Sequence, residues 1–147
     1  MTTEGSLAAG PAIARTIVLA AELAAVTARV AGRADLARRA RELAARAAPL
    51  GPQDAAAYQE FLRTRSEEAR RQTIELPLRM AELAAATAEL AAETAAIAQG
   101  AVGGDAKVGA LLAETCARGA ALLVRVNGGG DAAAEATGRA ARAAARV

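Results

Sequence analysis

A periodic seam of side chains in residues 75–100, ELPLRMAELAAATAELAAETAAIAQG, most constrains how this chain folds. Its members recur at alternating steps of four and three residues: Leu76, Met80, Leu83, Thr87, Leu90, Thr94 and Ile97. This spacing holds one face of a helix against a neighbour and is typical of helices that pack nearly parallel to each other. Glu75, Glu82 and Glu89 flank the seam at seven-residue intervals. The segment predicts a long helix in a helical bundle.

The residues around the seam are mostly small. Alanine makes up about a third of the 147 residues, and alanine is the strongest helix former because it loses no side-chain entropy. The chain has one tyrosine, one phenylalanine and no tryptophan. Because these few bulky side chains fill little volume, we expect a subunit interface to complete the core.

Glycine, proline and capping residues divide the chain into about six predicted helices with no strand-like alternation. The first opens at Pro11 and ends near Ala31, and the second covers 34–48. Asp54 is predicted to cap a third helix that runs to residue 73. Pro77 either starts a fourth helix or kinks one continuous with the third, and this helix ends near Gln99.

Asp105 is predicted to cap a fifth helix that ends at NGGGD (127–131), before a short, basic C-terminal helix. The prediction is an all-α, antiparallel helical bundle that forms a single domain over residues 1–147 and dimerises through helix faces. On the fifth helix we expect the buried side to carry Val108, Leu111, Leu112, Thr115, Gly119, Leu122 and Val126.

Composition excludes several classes of site. There is no histidine, the commonest metal ligand and general base, and a single cysteine forms neither an internal disulfide nor a metal cluster. The net charge of +2 is spread out and lacks stacking aromatics, so we expect no nucleic-acid partner. Residues 12–30 are judged too charged to span a bilayer, with no signal-peptide pattern, so no membrane contact and a cytoplasmic location are expected.

The fifth helix carries polar residues at both ends. Asp105 suits a helix cap, whereas Lys107, the only lysine, opposes the helix dipole and is either solvated or a proton donor or anion contact. Arg125 and Asn127 suit a helix end, or else bind a substrate carboxylate and a ring atom. Asp105 and Asn127 lie roughly 33 Å apart on one helix, so either only one end is a site or an antiparallel dimer brings the start of one helix beside the end of its mate.

Other polar side chains have two readings each. Asp54 and Tyr58 lie one turn apart on one helix face and form either a polar cluster or a cap beside a packed ring. The hydroxyls of Thr87, Thr94 and Thr115 either bond to a carbonyl one turn earlier or line a polar cleft. Cys116, among apolar neighbours, is predicted to be a buried small residue rather than a nucleophile.

Two segments, 75–100 and GDAKVGALLAETCARGAALLVRVN (104–127), resemble the cyclodeaminase/cyclohydrolase family of folate enzymes, which includes the C-terminal domain of formiminotransferase-cyclodeaminase and methenyltetrahydrofolate cyclohydrolase. DAAAY (54–58) is similar to a further family segment, and EGSLAAG or AAGPAIA to its glycine-rich N-terminal turn. The resemblance implies an all-helical homodimer with interface sites. It also implies a tetrahydrofolate derivative as substrate and no tightly bound cofactor or metal.

The family closes formimino-tetrahydrofolate to the methenyl form with loss of ammonia, or opens the methenyl ring with water. By this resemblance Asp105 and Lys107 are the catalytic candidates, and Arg125, Asn127, Asp54 and Tyr58 the substrate-binding candidates. The family's serine and asparagine are replaced by Gly104 and Leu123. The leading hypothesis is a diverged enzyme acting on a non-peptide C–N bond of a folate or another intermediate. The alternative is a non-catalytic helical dimerisation module.

Overall fold

The computed structural model describes residues 8–147. Within that range the chain forms six α-helices and no strand, which confirms the all-α prediction. The helices are α1 (Ala9–Val30), α2 (Ala34–Ala47), α3 (Leu50–Thr64), α4 (Glu67–Ile97), α5 (Val102–Val126) and α6 (Ala134–Ala144). Residues 1–7 lie outside the described residues, and with them most of the EGSLAAG segment.

Helices α1, α4 and α5 form the centre of the bundle. α4 and α5 share the largest helix contact and are joined by the short connection 98–101. α1 runs antiparallel to α5: the Thr27 hydroxyl donates to the Val102 carbonyl over 3.1 Å, and at the other end the Cys116 thiol lies 3.8 Å from the Ile13 carbonyl. α2 packs on α1, α3 packs on α4 and α1, and α6 covers α4 and α5.

The boundary between α3 and α4 differs from the prediction. α3 begins at Leu50, so Asp54 lies inside the helix and the prediction that it is the N-cap is wrong. Proline is tolerated in a first helical turn, where its missing N–H has no intrahelical partner, so PLGP begins α3 rather than separating helices. α3 ends at Thr64, and its C-cap residue, Arg65, has a left-handed φ of 52°. Ser66 then caps α4 by accepting from the Ala69 N–H over 3.1 Å.

Pro77 lies inside α4, so it does not start that helix. The helix that contains it is also separate from α3. A proline has no N–H, so the carbonyl of Thr73, one turn earlier, loses its intrahelical donor. The side-chain amide of Asn127, the C-cap residue of α5, donates to this carbonyl over 2.7 Å. The hydrogen bond ties the end of α5 to α4 at the position where the proline leaves an acceptor free.

Replacing Asn127 with alanine should therefore lower the free energy of unfolding by roughly 1–2 kcal/mol, because the Thr73 carbonyl loses its donor. In a Pro77→Ala background the restored N–H reaches the same carbonyl, so the cost of Asn127→Ala should fall to less than half. Urea denaturation of the two single variants and the double variant measures this coupling. An equal cost of Asn127→Ala in both backgrounds would contradict the assignment.

The seam on α4 is buried as predicted, except at its last member. Ile97, at the end of the helix, is 38 % exposed. The hydroxyls of Thr87 and Thr94 donate to the carbonyls of Leu83 and Leu90 over 2.7 and 2.8 Å. The Thr115 hydroxyl bonds one turn back in the same way, to Leu111 over 3.0 Å. The interpretation that these threonines bond within their own helices is confirmed.

The predicted orientation of α5 is wrong. The side chains expected in the core face outward: Val108, Leu111, Leu122 and Val126 are 50 %, 51 %, 54 % and 72 % exposed. The buried side consists mainly of small residues: Gly103, Ala106, Gly109, Ala110, Ala113, Cys116, Ala117, Ala120, Ala121 and Val124. Small side chains face inward because α5 lies close to α1, where a Cβ added at Gly109 would stand 3.0 Å from the Ala20 carbonyl oxygen.

The estimate of α1 as too charged for a membrane also needs correction. By length and composition alone, Ala9–Val30 passes as a candidate membrane span, and it is the one described helix that does. Such a signal is weak, because the core helix of a water-soluble bundle has the same composition. In this fold α1 packs along α2, α4 and α5.

Candidate functional site

The first turns of α5 hold Asp105 and Lys107, but the two side chains leave the helix on different sides. α5 begins at Val102, and the N-cap position, Ala101, has no side-chain cap, so the prediction that Asp105 caps the helix is wrong. Both residues are exposed. Residues two positions apart on a helix do not face each other. Asp105 and Lys107 therefore do not form a single pair within one chain.

Lys107 lines an open groove of about 840 Å³ beside the end of α4. The other charged side chains that line the groove are those of Arg39, Arg146, Glu89 and Glu93. Arg39 and Glu93 form an ion pair at 3.6 Å with both side chains about half exposed, so this pair contributes little stability. Arg39 and Arg146 are charged neighbours that the sequence did not reveal, because they lie on α2 and beyond α6, far from Lys107 along the chain.

The other end of α5 holds Arg125 and Asn127. Arg125 lies in the last turn and is exposed, and Asn127 is the C-cap residue, as the reading of both as helix-end residues predicted. One N–H of the Asn127 side-chain amide donates to the Thr73 carbonyl, which leaves its second N–H and its side-chain oxygen to meet a ligand. The proposed substrate-binding role of both residues stays a prediction.

Four charged residues follow one flank of α5: Lys107, Glu114, Arg118 and Arg125. Lys107 and Arg125 are separated by about five full helical turns, so they share this flank, roughly 27 Å apart. Glu114 and Arg118 form a loose ion pair at 4.0 Å. Beside the flank runs the exposed apolar row of Val108, Leu111, Thr115, Leu122 and Val126, which we call the α5 stripe.

Asp54 of α3 lies against the first turn of α1. A Cβ at position 10 would collide with its carboxylate, so the glycine there makes room for Asp54. Within residues 8–147 the carboxylate has no hydrogen bond or ion pair. Burial raises the pKa of Asp54, because partial loss of water disfavours the charged form. Tyr58, one turn later, is 50 % exposed, and no hydrogen bond joins it to Asp54 in the described chain.

Because the pKa of Asp54 is raised in the folded state, its effect on the free energy of unfolding should depend on pH. A carboxyl with a higher pKa in the folded than in the unfolded state contributes stability at low pH, and this contribution is lost as the pH rises through the folded-state pKa. Asp54→Asn should therefore raise the free energy of unfolding at pH 7, by less than about 1 kcal/mol because water still reaches the carboxyl. Urea denaturation at pH 3 and pH 7 should show the gain at pH 7 only; a loss of stability at pH 7 would contradict it.

Cys116 is buried against α1, and burial raises the pKa of its thiol to about 11. A thiol with that pKa is protonated at neutral pH, so the interpretation of Cys116 as a packing residue is confirmed. Across residues 8–147 no three His, Cys, Asp or Glu side chains group to hold a metal ion.

The described chain thus brings the six predicted site residues together only in part. Asp54 and Tyr58 share α3, whereas Asp105 and Lys107 lie at one end of α5 and Arg125 and Asn127 at the other. Asp105 and Asn127 lie 22 residues apart on α5, roughly 33 Å along the helix, so the two ends of one chain do not meet around a single small substrate. Their roles in binding and catalysis stay predictions.

A family model described as formiminotransferase-cyclodeaminase matches residues 8–145, a range that contains all six helices. The match confirms the resemblance seen in the segments 75–100 and 104–127. Comparison with curated proteins finds no match.

Proposed function

Because the chain belongs to the formiminotransferase-cyclodeaminase family, we propose that it is a diverged cytoplasmic enzyme that forms or breaks a non-peptide C–N bond at the interface of a homodimer. The observation that carries this proposal is the α5 stripe, an exposed apolar row with a cation near each end. Its substrate is a folate one-carbon unit or another small polar intermediate in which such a C–N bond is formed or broken.

The α5 stripe fits a second copy of the same chain. A continuous exposed apolar row on a helix is typical of an interaction surface. Pairing two copies about a two-fold axis at Thr115 places Val108 opposite Leu122 of the partner subunit. The same axis brings Glu114 of each chain near Arg118 of the partner subunit, so the central charges are complementary. The arrangement is antiparallel, as self-complementary charges along the helix require.

This pairing joins the two ends of α5 that one chain keeps apart. With the axis near Thr115, Lys107 of one chain faces Arg125 of the partner subunit on the shared flank, once at each end of the interface. Two cations without an acid between them suit a substrate carboxylate, with the arginine binding it in a bidentate manner. Asp105, on the other flank, is the group available to exchange a proton.

Either reaction of the family needs a proton transfer at nitrogen. In ring closure a second amine nitrogen of the substrate attacks the one-carbon unit and gives up its proton, the C–N bond to the amino group breaks, and the departing amine takes up a proton to leave as ammonia. In ring opening, water adds to the carbon, one ring C–N bond breaks and its nitrogen takes up the proton. Asp105 or Lys107 acts as the acid in either reaction.

The replaced polar positions bear on the substrate rather than on the fold. Gly104 and Leu123 carry no side-chain donor or acceptor where the family pattern has serine and asparagine. A site built on hydrogen bonds discriminates through them, so losing two weakens recognition of a polar ring. We therefore expect fewer hydrogen bonds to the pteridine ring of the substrate. A larger share of the binding energy would then come from the contacts with the substrate carboxylate.

Dimer formation is tested by placing a charge in the α5 stripe. Leu111→Glu should convert the dimer into a monomer at micromolar concentration, because the interface would bury an unpaired carboxylate. Leu62→Glu on α3, where the leucine is also partly exposed, is the matched control and should leave the dimer intact. Light scattering after size-exclusion chromatography measures both masses. A monomeric wild-type chain would contradict the proposed interface.

Catalysis is tested by following methenyl-tetrahydrofolate by its absorbance. Lys107→Ala and Arg125→Ala should each lower kcat/KM by about tenfold or more, through loss of a charged contact. If each site takes Lys107 from one chain and Arg125 from the other, mixing the two variants restores one intact site in each heterodimer. About a quarter of wild-type activity should return in a random mixture.

The control for this mixture is Arg125→Ala combined with the double variant Lys107→Ala/Arg125→Ala, in which every site lacks Arg125 and no activity should return. Equal activity in the two mixtures would rule out the shared site. A wild-type dimer that neither turns over nor binds the folate would favour the non-catalytic dimerisation module, which the replaced polar positions also permit.

A further inference from the structure

We propose that a pocket between α2, α4 and α6 binds a small organic molecule through its oxyanion group, a phosphate or a carboxylate. The cavity has a volume of about 420 Å³, which lies in the usual range for small-ligand sites. Its lining consists of Arg46, Leu50, Arg79, Glu82, Leu83, Ala86 and Arg139. None of the six candidate site residues lines it, so this pocket is separate from the proposed catalytic site.

Three arginines from three different helices line this pocket: Arg46, Arg79 and Arg139. Arg139 of α6 is fixed in place, because it donates two hydrogen bonds to the Glu89 carboxylate over 2.9 and 2.8 Å. Arg46 and Arg79 have no ion pair or hydrogen bond with any of residues 8–147. Two unpaired arginines beside a fixed third cation provide the planar donors that bind phosphate and carboxylate oxygens in pairs.

The charge balance around the pocket also favours an anion. Glu82 is the single acid in the lining, and Glu89 neutralises Arg139 from behind it. Outside the lining, Arg142 and Arg146 lie near Glu89, and Glu135 lies near Arg139, so acids and arginines of α6 and the C-terminal residues largely balance one another there. The pocket therefore keeps a positive excess that an anionic group would neutralise.

Apolar side chains line part of the pocket. Leu50, Leu83 and Ala86 give it a surface on which the carbon skeleton of a ligand can pack. Pockets that bind small molecules combine such an apolar surface with a few convergent polar groups. This lining favours an organic phosphate or carboxylate over an inorganic ion.

The test is calorimetric titration at low ionic strength with two probes, inorganic pyrophosphate and glutarate. Arg46→Gln/Arg79→Gln should weaken binding about tenfold or more, because two charged hydrogen-bond donors are lost. Arg38→Gln/Arg41→Gln is the matched control: it removes the same charge from exposed arginines of α2 outside the pocket and should change the affinity less than about twofold. Circular dichroism confirms that each variant is folded.

A third variant moves the affinity in the opposite direction. Glu82→Gln removes the acid from the lining, so the probe should bind about two to five times more tightly. Preference for pyrophosphate identifies the ligand as a phosphate, and preference for glutarate identifies it as a carboxylate. The proposal is overturned if neither probe binds the wild-type chain, if the two arginine pairs have equal effects, or if Glu82→Gln weakens binding.

Discussion

The close approach of α5 to α1 and α4 is the constraint on which the rest of the structure depends. Space for it exists because the inward positions of α5 hold glycine and alanine, and at Gly109 even one added carbon would crowd the Ala20 carbonyl. Close-packed helices leave little room in this layer for large side chains, and Val124 is the largest residue on the buried side of α5. Four larger apolar side chains consequently lie on the outer face of α5, where a single chain leaves them half exposed or more: Val108, Leu111, Leu122 and Val126.

The separation of small inward residues from large outward residues on α5 connects the packing of the core with the proposed active site. One helix supplies alanine to the core, an apolar row to the proposed interface, and charged residues at both ends for the proposed site. In the proposed dimer, association and catalysis would depend on the same surface, because the two ends of α5 meet only across a two-fold axis. Asn127 belongs both to the fold and to the proposed site: its amide nitrogen satisfies the carbonyl that Pro77 leaves free on α4, so part of its polarity is already used within the fold.

Patterns within one helix were predicted well from the sequence, and contacts between helices were not. The α4 seam, the threonines that bond one turn back and the buried Cys116 all follow from local spacing. Asp54 and Asp105 were wrongly predicted to be N-caps, because each helix begins one turn earlier than its acid suggests. PLGP reads as a helix breaker, yet it lies in the first turn of α3, where a missing N–H costs little. The sequence around Lys107 does not predict that Arg39 and Arg146 lie beside it, because both arginines are distant from Lys107 along the chain.

The order of residues alone is enough to determine an all-helical chain, its division into about six helices and its resemblance to the family. Helix propensity, helix breakers and hydrophobic periodicity depend on residues that are close along the chain, so they can be predicted from the amino-acid sequence. Which face of α5 is buried depends instead on how closely three helices approach one another. The periodicity of α5 offers two apolar faces, one of small and one of large residues, and hydrophobicity alone favours the large one. Packing distance selects the small one, because van der Waals exclusion at the helix contacts outweighs the gain from burying larger side chains within a single chain.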